Sequence, residues 1–204
     1  MPSRQRRRIS VGAIGAAVIL LTAGCGSSTD TGTPATSTSI GSTTSTPTST
    51  APSDDQTGQV AVSLFFTPGS GGADCSDTTA VGRTVQGPGV LAATLKALLA
   101  GPSAGEKGAG LQSWFSDATA DSLMSVKIVD GTAHIDFKNF STLISGASSS
   151  CGSSQLMSQL DRTARQFPTV QRTLYSFDGD VEAFYAWLQG SPPDYYQPGT
   201  TAGG

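Results

Sequence analysis

Leu123-Met124-Ser125-Val126-Lys127-Ile128-Val129-Asp130-Gly131-Thr132-Ala133-His134-Ile135-Asp136-Phe137 decides the fold. Asp130-Gly131 has the composition of a two-residue type I′ turn, in which both central residues need positive φ. Such a turn pairs Val129 with Thr132, Ile128 with Ala133, Lys127 with His134, Val126 with Ile135 and Met124 with Phe137. In that register Met124, Val126, Ile128, Ala133, Ile135 and Phe137 share one face, and Ser125, Lys127, His134 and Asp136 the other. A slip of one residue would destroy the segregation, so turn and pattern support each other. One face should be covered by helices and the other left to water.

Elements of both kinds surround this hairpin. Val60, Val62, Leu64 and Phe66 alternate with smaller residues, predicting a strand, and Val81–Val85 a short second one. Between them Pro68–Asp77 is a glycine-rich loop carrying Cys75. Leu91, Leu95, Leu98 and Leu99 recur at helical spacing, and Gly101-Pro102 stops that helix. Ser103–Trp114 is a connector that brings Leu111, Trp114 and Phe115 to the core. Leu156, Leu160, Ala164 and Phe167 predict a second helix, capped by Ser153 or Ser154 and ended by Pro168. Thr169–Phe177 follows as a strand, and Val181–Leu188 as a short aromatic helix with Asp180 as its N-cap. The expected class is α+β: a small, largely antiparallel sheet with two main helices on one face.

The order of these parts resembles the GerMN domain of sporulation and spore-germination proteins, over about Val60–Asp178. The resemblance rests on Val62-Ser63-Leu64-Phe65-Phe66, on Leu91 through Pro102 with its Leu98-Leu99-Ala100-Gly101-Pro102 stop, on Gly110-Leu111 and on Val126 through Phe137 of the hairpin. Gln155 through Gln166-Phe167-Pro168-Thr169-Val170 and the terminal Phe177-Asp178-Gly179 complete it. It implies a compact domain with helices on one side of a small sheet, similar to ring-building folds of sporulation secretion complexes. It also implies cell-surface or lipoprotein attachment, as in actinobacterial envelope lipoproteins, and no catalysis. The aromatic segment Val181–Leu188 and the Cys75/Cys151 pair depart from the family pattern.

The first 24 residues read as a signal peptide. Arg4, Arg6, Arg7 and Arg8 precede an uncharged, mostly apolar stretch from Val11 to Ala23. That stretch is shorter than the ~20 residues a bilayer span needs. Thr22-Ala23-Gly24-Cys25 resembles a lipobox, which makes Cys25 the lipidated first residue of the mature chain, although Thr22 stands where Leu is commoner. Residues 25–59 are then a disordered stalk of Ser, Thr, Pro and Gly, too poor in apolar residues to fold. Residues 60–190 form the domain, and 191–204 a disordered tail.

With Cys25 assigned to lipid, Cys75 and Cys151 remain, an even pair in an oxidising compartment and hence a predicted disulfide. Loss of the four signal arginines turns the formal charge of −3 into about −7. An acidic chain is a poor nucleic-acid binder, because phosphates demand a basic face. The lipid anchor, not charge, must therefore hold it on the extracytoplasmic face of the cell membrane.

The sequence offers little catalytic chemistry. It holds no phosphate-binding Gly-rich loop with its lysine. His134, the only histidine, lies between Lys127 and Asp136 on the wet face and reads as an ordinary strand residue. Asp178, Asp180 and Glu182 lack the ligand spacing of a calcium loop and read as turn and cap. One histidine and an unspaced cysteine pair fall short of a zinc set. No catalytic residue, metal or cofactor is therefore assigned.

Tyr185, Trp187, Tyr195 and Tyr196 concentrate aromatics near the C-terminus, either as core or as a surface for a protein or cell-wall partner. The expected function is a non-enzymatic, membrane-anchored lipoprotein that binds another envelope component. The competing expectation is a carrier that holds a lipid or small hydrophobe between helices and sheet.

Overall fold

The computed structural model describes residues 51–55, 57–69 and 74–199. The expected signal peptide, Cys25 and most of the expected stalk lie outside these residues. Six strands and four helices follow in the order β1 (Gly58–Pro68), β2 (Thr79–Gly87), α1 (Val90–Leu99), α2 (Ala104–Gly108), β3 (Leu111–Gln112), β4 (Leu123–Val129), β5 (Thr132–Phe137), α3 (Ser150–Ala164), β6 (Arg172–Phe177) and α4 (Val181–Trp187). The α+β class is as expected, but the strands divide into two three-stranded sheets, β2-β1-β3 and β4-β5-β6. Among the described residues only the β5–β6 pair is parallel.

The hairpin takes the predicted register from Val129/Thr132 to Val126/Ile135, with Asp130 and Gly131 both at positive φ. Beyond Ser125/Asp136 it departs. A bulge lets Leu123, not Met124, pair with Phe137, and Met124 is turned out to solvent at 52 % exposure. A bulge adds one residue to one strand and reverses the facing of everything past it, which alternation alone does not foretell.

The predicted apolar stripes meet in one core. Val62, Leu64 and Phe66 from β1, Leu91, Leu95, Leu98 and Leu99 from α1, and Leu156, Leu160 and Ala164 from α3 are all buried. Each fully buried aliphatic side chain of this kind contributes roughly 1.5–3 kcal/mol. Helix α1 ends where Gly101 adopts a left-handed φ of 76°. A Cβ there would also run into the carbonyl oxygen of Phe115. Gly89 offers α1 no side-chain cap, and Asp54 supplies one. Its carboxylate accepts from the Leu91 N–H (2.6 Å) and its carbonyl from the Val90 N–H. The folded domain therefore reaches back into the segment expected to be stalk.

Helix α3 begins earlier than the sequence suggested. Ser149, not Ser153 or Ser154, is the N-cap and accepts from the Gly152 N–H. The helix closes at Ala164, three residues before Phe167 and well before Pro168, and β6 starts only at Arg172. Cys151 thus sits in the first turn of α3 and is disulfide-bonded to Cys75, with Cα atoms 5.2 Å apart.

The polar residues of α3 have a task that the apolar spacing conceals. β1 is paired with β2 along its length, but its other edge has only the two-residue β3 at one end. Gln166, just past the helix cap, accepts from the Ser63 N–H and donates to the Ser63 carbonyl, both at 2.8 Å. Thr163 accepts from the Phe65 N–H, and Gln159 donates to the Thr67 hydroxyl. Alternate residues of β1 are thus met by successive turns of the α3 segment, which stands in for a missing strand. On its other side α3 presents Asp161, which accepts from the hydroxyls of Thr173 and Tyr175 on β6, each at 2.7 Å.

The short helix α2 carries a capping box between Ser103 and Glu106, and Glu106 also forms an ion pair with Arg83 of β2 at 2.6 Å. Hydrogen bonding from Arg83 lowers the Glu106 carboxyl to about 2, against the opposing effect of desolvation. A carboxyl held below its unfolded value stabilises the fold above that value, and loses the effect as pH falls toward the folded one. Glu106→Gln should cost about 1 kcal/mol near neutrality, in view of partial solvent screening. The difference from the parent should fade between pH 4.5 and about 2, measured by denaturant unfolding across that range. Replacing both Cys75 and Cys151 with alanine should lower stability by about 4 kcal/mol, since the bridge closes a long loop in the unfolded chain. Chemical denaturation of the double variant checks this.

Candidate functional site

The open face of β4-β5-β6 forms the floor of a cleft of about 630 Å³. Pairing across the sheet sets Val129, Thr132 and Arg172 in one row and Lys127, His134 and Leu174 in the next. Ser125, Asp136 and Ser176 form a third row. Thr132, Leu174 and Ser176 are buried although they face away from the core helices. What covers this side is the chain after α4: Tyr195, Tyr196, Gln197 and Gly199 wall the cleft, with Val181 and Gly179 at its far end. The face expected to be wet is therefore partly roofed. Residues 191–199, expected as part of a disordered tail, lie against it, while 200–204 lie outside the described residues.

This placement follows from the free edge of β6. In a strand, alternate residues aim both backbone groups to the same side, and an edge strand leaves those groups unpaired. Here Thr173, Tyr175 and Phe177 point outward, and each finds a partner. The Tyr195 hydroxyl donates to the Thr173 carbonyl, the Tyr185 hydroxyl is hydrogen-bonded to the Tyr175 backbone, and the Phe177 N–H donates to the Asp180 carbonyl. Arg172 stacks over the Tyr195 ring, 4.9 Å from its centroid, and pins the segment in place. Burial pushes the Tyr175 and Tyr185 hydroxyls well above the ordinary phenol range, so both stay protonated, and Tyr175 donates to Asp161.

The four aromatic residues singled out in the sequence separate into two groups. Tyr185 is buried against β6, and Trp187 packs in the core aromatic cluster within 6.0 Å of Phe140, Phe177 and Phe184. Tyr195 and Tyr196 reach the cleft, and only Tyr195 is exposed, at 38 %. The sequence offered no sign that Arg172, Thr132 and Leu174 would join His134. Their union depends on β5 and β6 lying side by side and parallel.

His134 sits mid-floor, and its ring has no hydrogen-bond partner among the described residues. Desolvation lowers its pKa, so the imidazole is neutral at neutral pH, able to donate at one nitrogen and accept at the other. Among the described residues Arg172 forms no ion pair, which leaves its guanidinium donors available. Two acidic residues of the Asp178–Glu182 turn are otherwise engaged: Asp178 accepts from the Asn139 N–H and Asp180 caps α4 through the Ala183 N–H. Nearby Asp136 accepts from Ser176 and from the Gly179 N–H. No group of three or more metal-ligating side chains gathers among the described residues.

The space between helices and sheets is filled, not hollow. Leu64, Leu95, Phe137, Leu160, Tyr175 and Phe184 there are each completely buried. The volume that a lipid carrier would need at that position is occupied by side chains. Proton NMR should show His134 titrating below the ordinary histidine value. Tyr195→Phe, which removes the hydroxyl but keeps the stacked ring, should raise hydrogen exchange in the 191–199 segment without unfolding the domain.

Residues 63–181 match the Germane family, described as sporulation and spore germination. No curated protein sequence matches the chain. A crystal structure of a candidate lipoprotein from Clostridium perfringens aligns at a TM-score of 0.35 with 20 % identity, over 60 % of this chain and 77 % of that one, a likeness too distant to bear on function. The family match spans more than half of the sequence and contains the hairpin, both long helices and β6, and the chain belongs to the Germane family of sporulation and spore-germination domains.

Proposed function

We propose that the protein is a non-enzymatic, lipid-anchored domain on the outer face of the cell membrane that binds another component of the envelope. The observation that carries this reading is the division of labour among three cysteines. Cys75 and Cys151 form a disulfide, as suits an oxidising compartment, and Cys25 is left at the end of a basic, then apolar leader. Two acyl chains on Cys25 would supply the membrane affinity that an acidic domain lacks. The Ser/Thr/Pro-rich stretch after it would set the search volume, and confinement would raise the effective concentration of a weak contact.

The cleft under Tyr195 and Tyr196 is the surface we assign to that contact. It combines unpaired donors, a neutral imidazole and apolar floor residues, the mixture usual in recognition sites. The packed space between helices and sheets favours this reading over a carrier of lipid in the core.

Cys25→Ser should abolish acylation and shift the protein from the membrane to the soluble fraction, read by fractionation and by mass spectrometry of the N-terminus. A photo-crosslinking residue at Val129, on the cleft rim, should capture an envelope component in the anchored protein and lose it in an Arg172→Ala background. A Cys25→Ser protein still processed at that position and still sedimenting with membranes would overturn the anchor. Capture unaffected by Arg172→Ala would overturn the assigned surface.

A further inference from the structure

A second, smaller cleft opens where β1 gives up its pairing with α3 and takes up β3. It holds about 190 Å³ and is lined by Thr67, Gln112, Ser113, Trp114, Gln155 and Gln159. Among the described residues no lining side chain is ionisable, although the protein as a whole is acidic. Gln159 is wholly buried at its base, at a position of α3 flanked by the core residues Leu156 and Leu160, where an apolar residue would be cheaper to bury. Its amide accepts from the Ser113 hydroxyl at 2.6 Å and donates to the Thr67 hydroxyl at 2.8 Å. Ser113 is fixed further by accepting from the Phe115 N–H. One buried amide thus orients two hydroxyls on opposite walls.

On the rim, the side-chain amides of Gln112 and Gln155 have no partner among the described residues, and Trp114 provides an aromatic wall. Unpaired amides offer donor and acceptor together without charge. An aromatic face packs well against the C–H face of a sugar ring. The volume suits one ring and not a drug-sized ligand, which occupies roughly 300–1,000 Å³.

We propose that this cleft binds a single N-acetylated hexosamine ring of a glycan. The rim amides of Gln112 and Gln155 meet the acetamido group, the Thr67 hydroxyl meets a ring hydroxyl, and Trp114 stacks on the sugar. Gln159 is a positioning residue, fixing Thr67 and Ser113. The lack of any lining charge selects against carboxylate, phosphate and ammonium ligands. This inference goes beyond the tethered-adaptor reading and is independent of it, since Cys25 could prove unprocessed while the sugar still binds.

The test is a ¹⁵N NMR titration of the purified protein with the β-1,4-linked trimer of N-acetylglucosamine. Saturable shifts should fall on the side-chain amides of Gln112 and Gln155 and on the Trp114 indole. Gln155→Ala should weaken binding about tenfold, the loss of one to two hydrogen bonds, with the melting temperature unchanged. No saturable shift at millimolar sugar would overturn the proposal. So would shifts confined to the Tyr195 side of the domain, or tighter binding of a neutral blocked dipeptide than of the sugar.

Discussion

The structure depends on how the unpaired edge of β1 is closed. Ser63 and Phe65 aim backbone groups away from β2 into a half-buried seam against the α3 segment. A backbone group left unpaired where water has only partial access costs up to about as much as a lost hydrogen bond. The α3 segment removes that cost with Gln166 and Thr163, while its apolar stripe packs on the same strand. Because Asp161 ties the other side of α3 to β6, one helix fixes both sheets at once. The disulfide to Cys75 anchors the first turn of that helix.

The same need at β6 is met by a different device. There the closing groups come from α4, its N-cap and the chain beyond it, through Tyr185, Asp180 and Tyr195. This explains why the C-terminus is rich in tyrosine: an aromatic ring covers apolar floor while its hydroxyl reaches the strand. The covering segment also creates the larger cleft, so a structural obligation and a recognition surface arise from the same residues. Arg172 belongs to both, holding Tyr195 by its face and keeping its donors free.

Much of this was legible in the sequence. The Asp130-Gly131 turn and its alternating flanks gave the hairpin, the leucine spacing gave α1 and α3, and cysteine arithmetic gave the Cys75–Cys151 bridge. The bulge at Met124 was not legible, because its cause is the local geometry of pairing. The split into two sheets was hidden because each strand's neighbours are fixed by packing, not by its own pattern. Gln159, Thr163 and Gln166 carried no signal of their own, since their partners are the Thr67 hydroxyl and the backbone of Phe65 and Ser63, roughly a hundred residues away. For the same reason the cleft's floor could not be assembled from His134 alone, and Tyr185 and Trp187 could not be told from Tyr195 and Tyr196.

The most direct test of α3 as a substitute strand is amide hydrogen exchange in a Gln166→Ala variant. Losing both contacts to Ser63 should speed exchange of the Ser63 amide and reduce stability by about 1–3 kcal/mol. The Val60 and Val62 amides, on the same strand, should keep their protection relative to global unfolding. If the Ser63 amide stays as protected as in the parent and stability does not fall, the edge is held closed by something other than this helix, and the account is wrong at its centre.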